Sequence, residues 1–303
     1  MILKQDFIIS QNESLQRLDH FLTLKTTFNK SKCQQLILSK HVLVNDNPSK
    51  KSYLLKQNDI VTIDVLESPP IPKIQQPYNL NLEIIYEDPY LAVINKPANL
   101  VVHPSLSFQG LTLVNGLLYQ IKTLSCLDTL RPGIVHRLDK NTTGLMLIAK
   151  NNDVSQKLQQ AFKNRTIKKI YQALIEGFLE DRGTIDLPIS RHPHHRLKMT
   201  VLAQGKKAIT HFTTLKRFHA YSLMECLLET GRTHQLRAHF AYLKHPIVGD
   251  QLYGSQSYNT DLGQFLHAQK IIMQHPITHQ KMVFKAPLPF NFEQLIANLE
   301  NNC

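Results

Sequence analysis

The 303-residue sequence predicts an α+β protein, with a small N-terminal α+β module and a larger domain built on a large, mainly antiparallel β-sheet flanked by helices and loops. After residue 80, strand-like segments outnumber helical ones and follow one another closely, which favours an antiparallel sheet. Residues 67–79 hold four prolines, a composition typical of an extended linker. The predicted organisation is therefore a module at 1–66, a linker at 67–79 and a domain at 80–303.

The N-terminal module is predicted from two short helices and a small sheet. Residues 7–9 have a strand pattern, and Ser14 is in position to cap a helix whose apolar residues have helical spacing up to Leu22. A second helix is expected from Ser31. Two further strands are expected at 41–45 and 60–65.

The larger domain begins with a hairpin pattern around an acidic turn, Glu87-Asp88-Pro89. Asn152 or Asp153 is expected to cap the helix that follows the central apolar strand. The predicted strands are 82–86, 90–94, 144–149, 168–176, 199–203, 208–218, 221–229, 271–275, 282–286 and one near 183–189, and the predicted helices are 112–120, 154–163, 234–243 and 293–299.

The charge balance indicates a polyanionic partner. Lys and Arg number 35 against 23 Asp and Glu, which gives a net charge of +12. Such an excess favours nucleic acid first and an anionic membrane surface second, with a generically basic protein as the alternative. The sequence contains no run of about 18 apolar residues and no signal-peptide pattern, so neither a transmembrane helix nor secretion is predicted.

The four cysteines are far apart and form no CxxC pair. This spacing predicts neither a disulfide framework nor a zinc site, and it favours reduced thiols in the cytoplasm. His192, His194 and His195 form the densest histidine cluster, but their neighbours are cationic. We therefore predict contact with a polyanion there and no metal site.

The stretch 131–150 is the most informative part of the chain. A turn that contains His136, Arg137 and Asp139 precedes an apolar strand at 144–149. Chargeable residues in a loop held by rigid strands indicate function. The alternative is that Asp139 only fixes the turn through its own backbone.

A second polar segment, 229–239, begins with a predicted turn at Thr230-Gly231. Spacings of three and four predict that Arg232, Gln235 and His239 share one side of a helix, with Arg237 pointing elsewhere. Further along, Gly249, Asp250 and Gly254 are expected to be structural. The sequence has no phosphate-loop, dinucleotide-binding or GxSxG motif, which argues against nucleotide cofactors and serine hydrolases.

Four segments, 95–104, 131–150, 169–177 and 229–239, together resemble the RluA/RluD family of pseudouridine synthases. Residues 245–250 and 265–268 extend the likeness. The N-terminal module resembles the S4-like RNA-binding domain at 17–22, 31–37, 42–45 and 57–61. It departs from that pattern at Lys40 and Asp46, where glycine is usual nearby, and at Lys32, where arginine is usual.

The resemblance implies isomerisation of uridine in RNA, with Asp139 as the catalytic carboxylate. It also implies that Arg232 pairs with Asp139 and holds it charged and oriented. Tyr171 would stack under the flipped uracil, Arg137 would fill the space that the base vacates, and Leu236 would form an apolar wall. The remaining candidates are supporting or RNA-contacting residues: His136, Lys96, Arg196 and Lys198 in the larger domain, and Arg17, Lys30, Lys32 and Lys40 in the S4-like module.

Residues 191–201 and 205–212 resemble the subgroup that acts on large-subunit (23S) ribosomal RNA, with the RluD type favoured over the RluC type. The implied partner is that RNA or a precursor of the large subunit, bound by a monomer without membrane contact. No cofactor is implied, because the isomerisation involves no net redox or hydrolytic change. The alternatives are a non-catalytic RNA-binding or ribosome-assembly protein, and a glycoside hydrolase, which needs two acids around the scissile bond.

Overall fold

A computed structural model of the chain describes residues 2–26, 28, 30–66, 75–105, 108, 110–254 and 263–301. The chain divides into two compact units, Met1–Lys73 and Ile74–Cys303. The division falls within the stretch predicted as a linker, of which residues 67–74 lie outside the described residues. Residues 75–79 already pack in the second unit, where the Tyr78 N–H donates to the Asn115 carbonyl at 3.0 Å.

The first unit is a four-stranded antiparallel sheet with two helices, and it matches the predicted α+β module. Its core is formed by apolar residues such as Phe21, Leu22 and Ile63. The elements are β1 (Ile2–Ile8), α1 (Leu18–Lys25), α2 (Lys30–Leu38), β2 (Val42–Val44), β3 (Asn47–Pro48) and β4 (Ile60–Leu66). The strand order in the sheet is β1-β4-β2-β3.

Two details of the first unit differ from the sequence pattern. The first helix is capped by Arg17 and not by Ser14, because Leu15 has a left-handed φ of 63° and is 77% exposed, so the chain turns there. Lys40 and Asp46, near the positions where the S4-like pattern usually has glycine, both have a φ of 61°. The turn geometry is thus kept without glycine, at some cost in backbone strain.

The second unit contains a sheet of nine strands in the described part of the chain. The strands are β5 (Glu83–Glu87), β6 (Leu91–Lys96), β7 (Thr143–Ala149), β8 (Lys168–Glu176), β9 (Arg182–Asp186), β12 (Ile209–Arg217), β13 (Tyr221–Leu228), β14 (Leu266–Gln274) and β15 (Lys281–Lys285). Their order in the sheet is β5-β6-β7-β14-β8-β13-β12-β9, with β15 paired to β14. All pairs are antiparallel except β7 with β14, so the prediction of a mainly antiparallel sheet is confirmed.

Helices cover both faces of this sheet. The helices are α3 (Leu113–Gln120), α4 (Asn152–Lys163), α5 (Gln235–Tyr242) and α6 (Phe290–Asn301). Met146 of β7 packs in the core that includes α3 and α5, whereas the adjacent Leu147 packs in the core that includes α4. The whole of β7 is therefore buried, which explains its unbroken apolar sequence.

The structure also differs from the sequence predictions in where some helices and strands begin and end. The α4 cap is Asn151, whose side chain accepts the Val154 N–H at 2.9 Å. The strand expected near 183–189 is two strands, because β9 ends at Asp186 and β10 (Ile189–Arg191) pairs with β11 (Met199–Val201) in a separate hairpin. Among the described residues no helix is both long and apolar enough to cross a membrane.

Candidate active site

A cavity of about 560 Å³ opens where the loop before β7, strand β8 and the start of α5 meet. Six residues predicted for the site line it together, which supports the grouping of distant motifs from the sequence. They are His136, Arg137, Asp139, Tyr171, Arg232 and Leu236. Among the described lining residues the carboxylates are Asp139 and Glu229, and Glu229 is paired with Arg165.

Asp139 lies in a turn that is fixed on both sides. Its side chain is 17% exposed, so the carboxylate is accessible from the cavity but largely removed from bulk water. Just beyond the turn, Gly144 has a φ of 111°, and a Cβ there would approach the Ala268 carbonyl oxygen to 2.4 Å. Only glycine allows β7 and β14 to pair this closely. The position of the Asp139 turn therefore depends on this glycine.

Lys96 supports the same turn from beneath, and its predicted role in RNA contact is wrong. The side chain is fully buried. Its Nζ donates to the carbonyl oxygens of Pro97, Leu100 and Lys140 at 2.7, 2.9 and 2.9 Å. A buried ammonium that donates to three backbone carbonyls holds the backbone beside Asp139 and is not available to RNA.

The cation that pairs with Asp139 is Arg237. Its Nη1 lies 3.2 Å from Oδ2 of Asp139, and its Nε and Nη2 donate to both oxygens of Asp250 at 2.7 and 2.9 Å. Asp250 is fully buried, and the Arg237 side chain is only 9% exposed. Burial opposes the charge of Arg237, but its hydrogen bonds to Asp250 and the nearby Asp139 raise its pKa. Arg237 is therefore a permanent cation held in place by one carboxylate and directed at the other.

The prediction that Arg232 pairs with Asp139 is wrong, as is the prediction that Arg237 points elsewhere. Arg232 is partly exposed at the edge of the cavity, and its Nε donates to the Lys207 carbonyl at 3.0 Å. The reason is that α5 begins only at Gln235, after His234 with a left-handed φ of 54°. Arg232 therefore precedes the helix, and helical spacing does not apply to it.

The two other residues of that predicted face do lie together. The Gln235 Nε2 donates to Oγ1 of Thr210 at 3.0 Å, and the same hydroxyl lies 3.0 Å from Nδ1 of His239. This face of α5 is therefore fixed to strand β12. Arg237, two residues after Gln235, is consequently directed away from β12 and towards the Asp139 turn.

Tyr171 and Leu236 form the apolar walls of the cavity. Tyr171 lies on β8, opposite Cys226 of β13, and is 6% exposed. Burial and the nearby Asp139 raise the pKa of the phenol, so it is neutral at physiological pH. Leu236 is 3% exposed. Together they provide an apolar surface next to a carboxylate, as a flat base requires.

Arg137 and His136 are adjacent but have different surroundings. Arg137 is exposed, and its Nη1 lies 3.3 Å from Nε2 of His103. The Nε2 of His136 accepts the Leu147 N–H at 2.8 Å, and its ring packs on Phe162. Burial lowers the pKa of His136 to about 3. His136 is thus a neutral support of β7, and its predicted contact with RNA is not available through that nitrogen.

The sequence interpretation missed the role of Lys169. Lys169 is two residues before Tyr171 on β8, and alternation along a strand directs both into the same cavity. Its Nζ lies 5.6 Å from the centre of the Phe162 ring, and burial lowers its pKa to about 8. The spacing of two to Tyr171 could have identified Lys169. Asp250 was expected to be structural, and its buried carboxylate holds Arg237 in place.

The predicted RNA-contacting cations outside the cavity are mostly exposed. Arg196 lies in the exposed loop of hairpin β10–β11, and Lys198 is partly buried with its Nζ 5.8 Å from the Tyr253 ring centre. In the first unit, Arg17 forms two hydrogen bonds with the buried Asp19, which lower the pKa of that carboxyl to about 2. The other candidates of the first unit are exposed: Lys30, Lys32 and Lys40. Within the described ranges, no group of three or more His, Cys, Asp or Glu side chains is arranged to hold a metal ion.

Comparisons with known proteins identify the same N-terminal module and the same larger domain. A family model described as RNA pseudouridylate synthase matches residues 90–242, and the S4 domain model matches residues 16–61. An uncharacterized RNA pseudouridine synthase of Bacillus subtilis, YlyB, is 40% identical over 300 residues, which cover 98% of each chain. The ribosomal large subunit pseudouridine synthase D of Escherichia coli is 37% identical over 306 residues, which cover 95% of this chain and 92% of the relative.

A solved structure supports the fold. Human RNA pseudouridylate synthase domain containing 1 has a TM-score of 0.57 and 26% identity, and the match covers 75% of this chain and 98% of the human one. The family model covers the Asp139 turn, Tyr171 and Arg237. The chain therefore belongs to the RNA pseudouridylate synthase family and carries an S4 domain ahead of its catalytic domain.

Proposed function

We propose that this pseudouridine synthase isomerises specific uridines of large-subunit (23S) ribosomal RNA, with Asp139 as the catalytic carboxylate. One observation carries the proposal. The Asp139 carboxylate is exposed to a cavity between Tyr171 and Leu236 and is paired with the buried Arg237. A carboxylate in such a site has a cation beside it and is available to a base that enters from solvent.

The reaction defines what the cavity must do. The bond between N1 of uracil and C1′ of ribose breaks, the base turns, and a bond forms between C5 and C1′. The proton on C5 leaves, and N1 gains a proton, so atoms and charge balance without a cofactor. Asp139 would act on the ribose or the base as a nucleophile or as a base.

The walls of the cavity fit a base that has left the RNA stack. Removing a base from the stack costs a few kcal/mol, which contacts within the cavity and along the RNA must offset. Tyr171 would stack on the flipped uracil, and Leu236 would pack against its other side. The exposed Arg137 would occupy the gap left in the RNA. Lys169 would supply a charged donor to a uracil carbonyl or a backbone phosphate.

The choice of substrate rests on the relatives and on the basic surfaces. The Escherichia coli relative is named for the large ribosomal subunit, and it matches nearly the whole chain. The exposed cations of hairpin β10–β11 and of the S4 domain would track the phosphate backbone of structured RNA. We expect the enzyme to act as a monomer in the cytoplasm, on free RNA or on a precursor of the subunit.

Mapping pseudouridines in ribosomal RNA tests this proposal. Cells with and without the gene are compared at every uridine of both subunits. We expect one or more pseudouridines of the large-subunit RNA to disappear with the gene and to return when it is restored. An unchanged large-subunit map, or a change confined to transfer RNA, would contradict the substrate assignment.

A further inference from the structure

A chain of polar contacts connects the hairpin β10–β11 to the second oxygen of Asp139. The Met199 N–H of β11 donates to the Tyr253 hydroxyl at 2.6 Å. That hydroxyl lies 2.9 Å from Nδ1 of His234, and Nε2 of the same ring lies 3.8 Å from Oδ1 of Asp139. Arg237 contacts the other oxygen, Oδ2, so the two side chains address different atoms of one carboxylate.

The direction of these hydrogen bonds determines the tautomer of His234. The Met199 N–H can only donate, so the Tyr253 oxygen is its acceptor. The tyrosine hydrogen then needs an acceptor of its own, and Nδ1 of His234 is the one within reach among the described contacts of Tyr253. Since Nδ1 accepts, the hydrogen of a neutral imidazole is on Nε2. This N–H faces Asp139.

The surroundings of Tyr253 and His234 keep the phenol protonated and the imidazole neutral. Burial raises the pKa of Tyr253 to about 12, so the phenol retains its hydrogen. Burial also lowers the pKa of His234, although Asp139 and Asp250 oppose that change while Arg237 and Arg137 add to it. The imidazole is therefore neutral at neutral pH. Among the described residues, the charged groups that act on the ring are these two carboxylates and two guanidiniums, and the phenol is its hydrogen-bond partner.

Backbone geometry indicates that His234 is held in place at a cost. Its φ of 54° is left-handed, a conformation that costs a non-glycine residue free energy and is retained where the surroundings fix it. The Tyr253 ring also packs on the Arg237 guanidinium, with 5.0 Å between the ring centre and Cζ. Tyr253 thus contacts both side chains that address Asp139.

We propose that Tyr253 and His234 form a positioning dyad, in which the phenol fixes the imidazole tautomer so that Nε2–H orients Oδ1 of Asp139. The distance of 3.8 Å is longer than a hydrogen bond, and such contacts shorten when substrate closes a site. Because the phenol is anchored by hairpin β10–β11, seating RNA on that hairpin would shorten this contact. The dyad rests on the proposed role of Asp139 and adds residues that select its orientation.

The first test measures the tautomer directly and does not require activity. Nitrogen NMR of histidine-labelled protein separates protonated from unprotonated ring nitrogens, and His234→Gln identifies the resonances. We expect a neutral ring with its hydrogen on Nε2, and a mixture of tautomers in Tyr253→Phe. A ring protonated on Nδ1 in the native protein would overturn the proposal.

The second test is kinetic and uses large-subunit ribosomal RNA that carries tritium at C5 of uridine. Loss of one oriented hydrogen bond predicts that Tyr253→Phe lowers kcat by about 10-fold and leaves KM for RNA unchanged. Tyr242→Phe, at an exposed tyrosine at the end of α5, is the matched control and should behave as the native enzyme.

Variants of His234 separate positioning from folding. The amide of His234→Gln can place an N–H near the position of Nε2, whereas His234→Asn can replace only Nδ1. We expect His234→Gln to retain more kcat than His234→Asn, and Tyr253→Phe to add no further loss in the His234→Gln background. Equal losses in both His234 variants, or an effect of Tyr253→Phe on KM alone, would overturn the dyad. A native enzyme that releases no tritium from this RNA would contradict the proposed substrate instead, and the tautomer measurement would still decide the dyad.

Discussion

The turn 230–234 and helix α5 are consecutive parts of one motif, yet their arginines have opposite surroundings. Arg232 in the turn is partly exposed and donates to the carbonyl of Lys207. Arg237 in the helix is buried and bridges Asp139 and Asp250. The difference shows that the start of a helix, and not the spacing of residues in a motif, decides which side chain reaches the site.

The start of α5 is set by side-chain hydrogen bonds. The Gln235 Oε1 accepts from the Thr230 hydroxyl at 2.8 Å and from the Arg232 N–H at 3.0 Å. These bonds close the turn over the first residue of the helix. The backbone N–H of Arg232 therefore takes part in the hydrogen bonds that start α5, whereas its side chain contacts Lys207.

Among the variants that retain Asp139, the largest effect is expected for Arg237→Met. This change leaves the Asp139 and Asp250 carboxylates without their shared cation, and breaking a buried ion pair in this way costs about 3–5 kcal/mol of stability. Removing a preorganised electrostatic contact should also lower kcat by at least about 100-fold. Tritium release and denaturant unfolding measure the two effects. Arg237→Lys separates them, because a lysine keeps the charge but loses the fork that spans both carboxylates.

That contrast defines how far the sequence could predict the site. The Asp139 turn, Tyr171 and Leu236 were predicted to be together because their motifs resemble those of one family. The helix predicted at 234–243 begins at Gln235, so its start was predicted to within one residue. The ion pair between Asp139 and Arg237 joins residues 98 apart, and the resemblance assigned that role to Arg232. Which of two arginines in one motif reaches a distant carboxylate depends on tertiary contacts that the sequence pattern does not contain.

Burial of single polar residues was equally beyond the sequence. Lys96 is the last residue of β6, and a lysine at the end of a strand is more often exposed than buried. Its three carbonyl acceptors come from a loop after β6 and from the Asp139 turn, so they exist only once the two segments meet. The fold class was predictable because alternation and strand order depend on many residues at once.

The second largest effect is expected for Lys96→Met. Three backbone carbonyls in partly buried hydrogen bonds then lose their donor, and each carbonyl that water does not reach costs about 1–3 kcal/mol. The Asp139 turn should loosen, so that thermal stability and kcat fall together. Lys122→Met, at an exposed lysine, is the control and should change neither. A stable Lys96→Met enzyme with a native kcat would show that the turn does not need this support.

Lys169→Met should lower activity and raise stability. Burial lowers the pKa of Lys169 from 10.5 to about 8. Below pH 8 this lysine therefore opposes folding, and native stability should rise with pH between about 8 and 10.5, where the unfolded chain binds more protons. The variant should lack this rise. Loss of a charged donor should lower kcat/KM by about 10-fold, whereas Lys168→Met, at its exposed neighbour, should change neither stability nor kcat/KM.

The smallest effect is expected for Arg232→Ala. Its side chain is partly exposed and contacts a backbone carbonyl and not Asp139, so its removal should change kcat by less than about 3-fold. A modest rise in KM for RNA is compatible with a cation at the rim of the cavity. A loss of kcat comparable to that of Arg237→Met would reverse the assignment of the two arginines.

Asp139→Asn gives the most direct test of the catalytic carboxylate. Asparagine keeps the size of the side chain and removes the charge, so the variant should fold and bind large-subunit ribosomal RNA as the native chain does. In a single turnover with enzyme in excess over RNA that carries tritium at C5 of uridine, we predict no release of tritium above the enzyme-free rate. Release at the native rate by a folded Asp139→Asn enzyme would contradict the central claim.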